Sequence, residues 1–128
     1  MRVLLDTHAL IWLANPDPLL APAAQSVVAD SANGVFLSAV STWEMAIKIA
    51  IGKLTLALPL DAFVASQFSL YPLKPLPITY DHTYQVERLP PYHKDPFDRL
   101  LVAQAIVENL IVLTGDQRIS QYSVQTLW

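Results

Sequence analysis

Four carboxylates, Asp6, Glu44, Asp98 and Asp116, fall where the surrounding sequence predicts the start of a helix, and three of those helices follow soon after a strand. One acid in such a place is ordinary capping, with the side-chain oxygen accepting a free backbone N–H. Four in a small chain suggest a shared pocket instead. Carboxylates ~4 Å apart repel by ~4 kcal/mol per pair at an effective dielectric of 20, so a cluster must be protonated or hold a cation. All-oxygen ligands favour Mg²⁺ or Mn²⁺ over zinc. The chemistry such a centre suits is hydrolysis of a phosphodiester by an activated water.

Each acid also has a plainer role. Asp6 ends the apolar run MRVLL and could cap the helix after it, but the carboxyl end of a strand is also where open α/β sheets place ligands. Glu44 completes Ser41-Thr42-Trp43-Glu44, which fits an S-x-x-E capping box, and Lys48 lies one helical turn on. In His93-Lys94-Asp95-Pro96-Phe97-Asp98-Arg99, Asp95 before Pro96 is the expected N-cap. Asp98 becomes the third helical residue, favourably placed near the positive end of the helix dipole. A division of labour follows, with Asp95 structural and Asp98 chemical. Asp116 sits in a glycine turn after a strand, where the Thr114 hydroxyl could donate to a neighbouring carboxylate.

The elements that must position these acids alternate along the chain. Strands are expected at residues 1–5, 35–37, 110–113 and 124–127, with a proline-broken edge strand at 73–78. Helices are expected at 8–14, 18–32, 41–51, 60–70, 79–89 and 96–109, the last opened by Pro96. This alternation predicts one α/β domain spanning residues 1–128, three layers thick, with a parallel sheet. The carboxyl ends of parallel strands share one edge, so Asp6 and Asp116 should meet there. Helices that follow strands begin on that edge and bring Glu44, and Asp98 if its helix starts nearby.

Composition sets bounds. The 128 residues suffice for one core, and no apolar run approaches the ~18 residues of a membrane span. Without cysteine there is no disulfide framework or thiolate site. The first residues lack a signal-peptide pattern, so the cytoplasm is the expected compartment. The net charge is −3, but setting the four acids aside leaves eight basic residues against seven acidic ones. The negative charge is thus concentrated where a metal could neutralise it. His8 and His82 suggest no role, His93 could touch phosphate but reads more simply as a turn histidine, and Trp12, Trp43 and Phe97 read as core in preference to base-stacking platforms.

Four segments in order resemble the PIN-domain ribonucleases, in particular VapC-type toxins of toxin–antitoxin pairs: LLDTHALIWL, SAVSTWEMAIKIAIGKL, HKDPFDRLLVAQA and LTGDQRI. The resemblance implies a PIN-like α/β/α sheet of strand order 3-2-1-4-5, with the site at the switch point between strands 1 and 4. It implies a Mg²⁺- or Mn²⁺-dependent endoribonuclease that homodimerises and is silenced by a VapB-like antitoxin. Asp6, Glu44, Asp98 and Asp116 would be its metal-binding acids, with Thr114 and Asp95 in support. Lys48, Lys94, Arg99 and Arg118 are then candidates to grip RNA. Residues 8–32 and 41–51 carry more apolar side chains than one sheet face can cover, and the antitoxin is expected to pack there. The rivals are a phosphatase with a nucleophilic Asp after strand 1, disfavoured because position 8 is His8; a metal-dependent nuclease of DNA flaps, disfavoured because such enzymes carry long insertions; and a non-catalytic α/β interaction module whose acids cap helices.

Overall fold

In the computed structural model, which describes residues 1–128, strand β1 (Arg2–Leu5) carries Val3, Leu4 and Leu5 fully buried, as a strand covered on both faces requires. It is followed by α1 (Thr7–Ala14), α2 (Pro22–Ala29), β2 (Gly34–Ser38), α3 (Ala39–Ala50), α4 (Leu60–Leu70), β3 (Leu73–Leu76), α5 (Tyr80–Glu87), α6 (Pro96–Glu108), β4 (Ile111–Leu113) and β5 (Thr126–Leu127), with a 3-10 turn at Ile119–Gln121. All strand pairings are parallel and the order is β3-β2-β1-β4-β5. The expected α/β class and strand order are both present.

Successive residues of β1 feed opposite cores. Val3 and Leu5 join Val35, Leu37 and Leu113 beneath Leu10, Val28, Met45 and Phe63, which places α1 to α4 over one face. Leu4 joins Val112 with Leu101, Val102 and Ala105 of α6 on the other face. The two-residue period of a strand produces both layers from one short run. The proline-bearing strand β3 pairs only with β2 and so forms an edge, where a missing N–H is tolerated.

Two helix starts differ from expectation. Helix α2 begins at Pro22, not near residue 18, because the Asp17 carboxylate accepts from Leu19 N–H at 2.9 Å and holds that stretch in a turn. Helix α3 begins at Ala39, capped by Ser38, whose hydroxyl accepts from Val40 N–H at 2.9 Å. The capping box at Ser41–Glu44 is therefore absent. Ser41 is buried inside the helix and accepts from the Thr7 hydroxyl at 3.0 Å. Glu44 lies in the body of α3, with no helix end to cap.

The chain leaves β1 toward β2 on one side and, much later, enters β4 on the other. The carboxyl ends of β1 and β4 lie side by side, with Leu5 in register with Leu113 and Asp6 N–H donating to the Leu113 carbonyl at 3.1 Å. Ligand sites of open α/β sheets form at such a reversal.

Candidate active site at the carboxyl edge of the sheet

Asp6 is both cap and buried charge. One carboxylate oxygen accepts from Ala9 N–H at 2.7 Å and the other from the Thr114 hydroxyl at 2.5 Å. Thr114 in turn accepts from Asp116 N–H at 3.0 Å, which ties the ends of β1 and β4 together. Burial pushes the Asp6 carboxyl above its ordinary range and the Glu44 charge adds to this, while Thr114, Ala9 N–H and His8 pull it back.

Glu44 projects from α3 into the same region and is 2% exposed. Its Oε2 is ion-paired with Lys48 Nζ, whereas its Oε1 is buried without a hydrogen-bond partner. An orphaned buried carboxylate oxygen is costly and calls for a ligand.

Asp98 shows that the acids converge. Its carboxyl is pushed up to about 7, first by burial and then by the charges of Asp95, Glu44, Asp6 and Asp116. Asp116 behaves in the opposite way. Burial works against its charge, but the Arg118 side chain and backbone N–H, with His93, outweigh this and hold it at about 2. Arg118 Nε and Nη2 donate to its two oxygens at 3.1 and 3.0 Å. Asp95 keeps the structural role expected of it, accepting from Phe97 and Asp98 N–H at 2.8 and 3.1 Å.

His93 belongs to the site, contrary to its reading as a turn residue. It is buried, with Nε2 3.0 Å from Asp98 Oδ2 and 3.2 Å from Asp116 Oδ2. Its Nδ1 accepts from Asp95 N–H at 3.1 Å. In the neutral ring this bond fixes the proton on Nε2, which donates to the two carboxylates. These three side chains lie close enough to surround an ion, but the pinned tautomer makes His93 a donor that orients two acids, not a ligand. The signal was the spacing: a histidine two residues before the capping Asp95 turns its ring back toward the start of α6.

The basic residues divide. Lys48 and Arg118 sit on site carboxylates, and Lys94 is exposed next to His93. Arg99 is engaged within the protein. Its guanidinium donates to the carbonyls of Pro90, at 2.9 Å, and Val86, at 3.3 Å, and to the Tyr122 hydroxyl, at 3.1 Å. It clamps the 88–95 loop onto α6 through both terminal nitrogens. Trp43 also departs from expectation, being 48% exposed and edge-on to Phe97 at 4.7 Å between ring centroids.

The site thus offers four carboxylates, one with an orphaned oxygen and two raised by burial and by neighbouring charge, and the shortfall is positive charge. An oxygen-seeking divalent cation fits that donor set. The PIN-domain family model matches residues 3–125. The chain belongs to the PIN-domain family. PIN domains are nucleases, and a cluster of acids at the β1/β4 reversal suits that chemistry. Among solved structures, FitAcB from Neisseria gonorrhoeae is similar with a TM-score of 0.70 at 19% identity, over 98% of this chain and 96% of that one. VapBC2 from Rickettsia felis, bound to a DNA fragment from its promoter, gives 0.69 at 16% identity, over 99% and 98%. VapBC-1 from nontypeable Haemophilus influenzae gives 0.64 at 18%, over 99% and 97%. At these identities the likeness establishes the PIN fold. No curated protein is significantly similar in sequence.

Proposed function

We propose that this PIN domain is a Mg²⁺- or Mn²⁺-dependent endoribonuclease and the toxin of a VapC-type toxin–antitoxin pair. The observation that carries the catalytic part is the buried, partnerless Oε1 of Glu44 in a pocket where Asp98 is destabilised by three other site acids and Asp95. The capping alternative accounts for Asp6 and Asp95 but leaves Glu44, inside a helix, with no reason to be buried.

Asp6 and Asp98 are the direct ligands in this proposal, with Glu44 and Asp116 completing the set. A bound Mg²⁺ or Mn²⁺ would supply an activated water and neutralise charge on the leaving oxygen. Thr114 holds Asp6 in place and His93 holds Asp98 and Asp116, so the acids are oriented before substrate arrives. Lys48, Lys94 and Arg118 offer positive charge to RNA phosphates on the same edge.

The partner proposed is a VapB-like antitoxin, in keeping with the VapBC and FitAB assemblies that share the fold. The exposed Trp43, Ile47 and Ile51 of α3 and its end supply an apolar surface for it. A homodimer working in the cytoplasm completes the proposal. No helix is long and apolar enough to cross a membrane.

Cleavage of RNA in Mg²⁺ by Asp6→Asn and Asp98→Asn, each checked for folding, tests the assignment. Both should lose at least a hundredfold in rate, and full activity in either folded variant refutes it.

A further inference from the structure

A cavity of about 320 Å³ opens directly beside Asp6 and Asp116 and is walled by Trp12, Trp128, His8 and Leu19. Its volume lies at the small end of ligand pockets, which run roughly 300–1,000 Å³. His8 and Trp12 come from the first and second turns of α1, whose N-terminus Asp6 caps. Their rings lie 5.6 Å apart. Trp128 follows β5 and meets Trp12 edge-on at 5.7 Å. The two indoles are half-buried, packing on the core while lining the cavity. Leu19, 61% exposed, also lines the cavity.

Gly115 makes the second wall possible. A Cβ there would fall 2.9 Å from Cε2 of Trp128, so only glycine lets the indole lie against the turn between Thr114 and Asp116. The turn that carries a site acid is thereby shaped around an aromatic ring.

The chemistry of the lining selects its occupant. The acids of the lining are Asp6 and Asp116, which repel anions unless a cation intervenes, and the remainder is indole, aliphatic and the one imidazole of His8. A ligand must therefore be flat and uncharged where it meets the indoles, and anionic only where it reaches the acids. A nucleobase with its phosphate has that polarity, and bases stack on aromatic side chains in single-strand-binding proteins generally. We propose that this cavity is the subsite for the nucleobase next to the scissile phosphate, with Trp12 and Trp128 setting the nucleotide preference of the cut. The proposal rests on the nuclease function proposed above.

Two measurements on the full chain test it. In a Trp43→Phe background, where only Trp12 and Trp128 emit, titration with AMP, GMP, CMP and UMP in Mg²⁺ should quench fluorescence for at least one nucleotide, and ribose 5-phosphate should not. In parallel, Trp12→Leu and Trp128→Leu, with Trp12→Phe and Trp128→Phe as better-packing controls, are mapped on an RNA of mixed sequence. The Leu variants should raise KM about tenfold and flatten the base preference at the cut, as loss of one stack requires, with the Phe variants intermediate. If no nucleotide quenches and the folded Phe and Leu variants cut the same sites with unchanged KM, the subsite is refuted while the nuclease proposal stands. Unchanged cutting with weakened binding of a protein antitoxin also overturns it, by making that partner the occupant. Nucleotide quenching in a chain that cuts no RNA refutes the nuclease and, with it, the subsite's part in a cut, leaving a nucleotide-binding cavity only.

Discussion

Asp98→Asn isolates the electrostatic cost of the acid pocket. The Asp98 carboxyl is held at about 7 against an ordinary 3.8, by burial and then by the surrounding carboxylates. The folded chain therefore binds this proton more tightly than the unfolded chain does. The stability it confers is fully present below about pH 4 and is lost as pH rises to about 7. The interval corresponds to at most about 4 kcal/mol. Because the side chain is 20% exposed, solvent screening reduces the expected effect to about 2 kcal/mol. Unfolding entropy of about 2.1 cal/mol/K per residue converts this to about 7 °C for a chain of this length. Asparagine keeps the shape and an acceptor for His93 but no charge. By calorimetry in EDTA, Asp98→Asn should melt about 7 °C above the wild type at pH 8, with the gap closing toward pH 4. Addition of Mg²⁺ should reverse the order of benefit. At tenfold over its dissociation constant the ion stabilises the wild type by about 1.4 kcal/mol, about 5 °C, and the variant by far less. A variant that melts at or below the wild type at pH 8 in EDTA, or an equal Mg²⁺ increment in both, refutes the reasoning.

His93→Phe removes the donor to Asp98 and Asp116 and strands Asp95 N–H, so Mn²⁺ affinity measured by calorimetric titration should fall about tenfold, the scale on which orienting partners act. His93→Gln, which can restore a donor, should recover part of that loss; equal behaviour of the two variants would show that the ring only fills space. Arg99→Ala leaves the Pro90 carbonyl without its donor, while Val86 keeps the Leu89 N–H, and should cost about 1–3 kcal/mol in urea unfolding. The salt dependence of RNA binding should be unchanged, and a shallower slope would return Arg99 to the phosphate contacts.

Local pattern was enough for much of this protein. After Arg2, the consecutive apolar residues Val3, Leu4 and Leu5 read as a strand covered on both faces, and Pro96 after Asp95 fixes the start of α6 by capping chemistry alone. Bounds failed where a second capping residue competed. Ser38 and Ser41 are both plausible N-caps, and the choice fell to Ser38 because its hydroxyl also donates to Gln104 Oε1 across the sheet, at 2.5 Å. No window of sequence around α3 contains Gln104. Asp17 did the same to α2, where a local turn bond displaced a longer helix.

The acids themselves were legible, since carboxylates placed at strand ends and helix starts are visible in one dimension. Their unequal states were not. Asp98 is raised and Asp116 lowered because burial, His93 and Arg118 act on them, the side chains meeting at about 3 Å between residues up to 23 positions apart. The same holds for the aromatic cavity, whose walls come from α1 and from the residue after β5, brought together by the pairing of β1, β4 and β5. The sequence by itself determined which elements form and which residues could ligate a cation, because propensity, capping and apolar period are local properties. Only the tertiary structure decided that Glu44 is buried with a free oxygen, that His93 faces two acids, and that two tryptophans stand beside them, because burial and charge coupling exist only between parts of the chain that folding brings together.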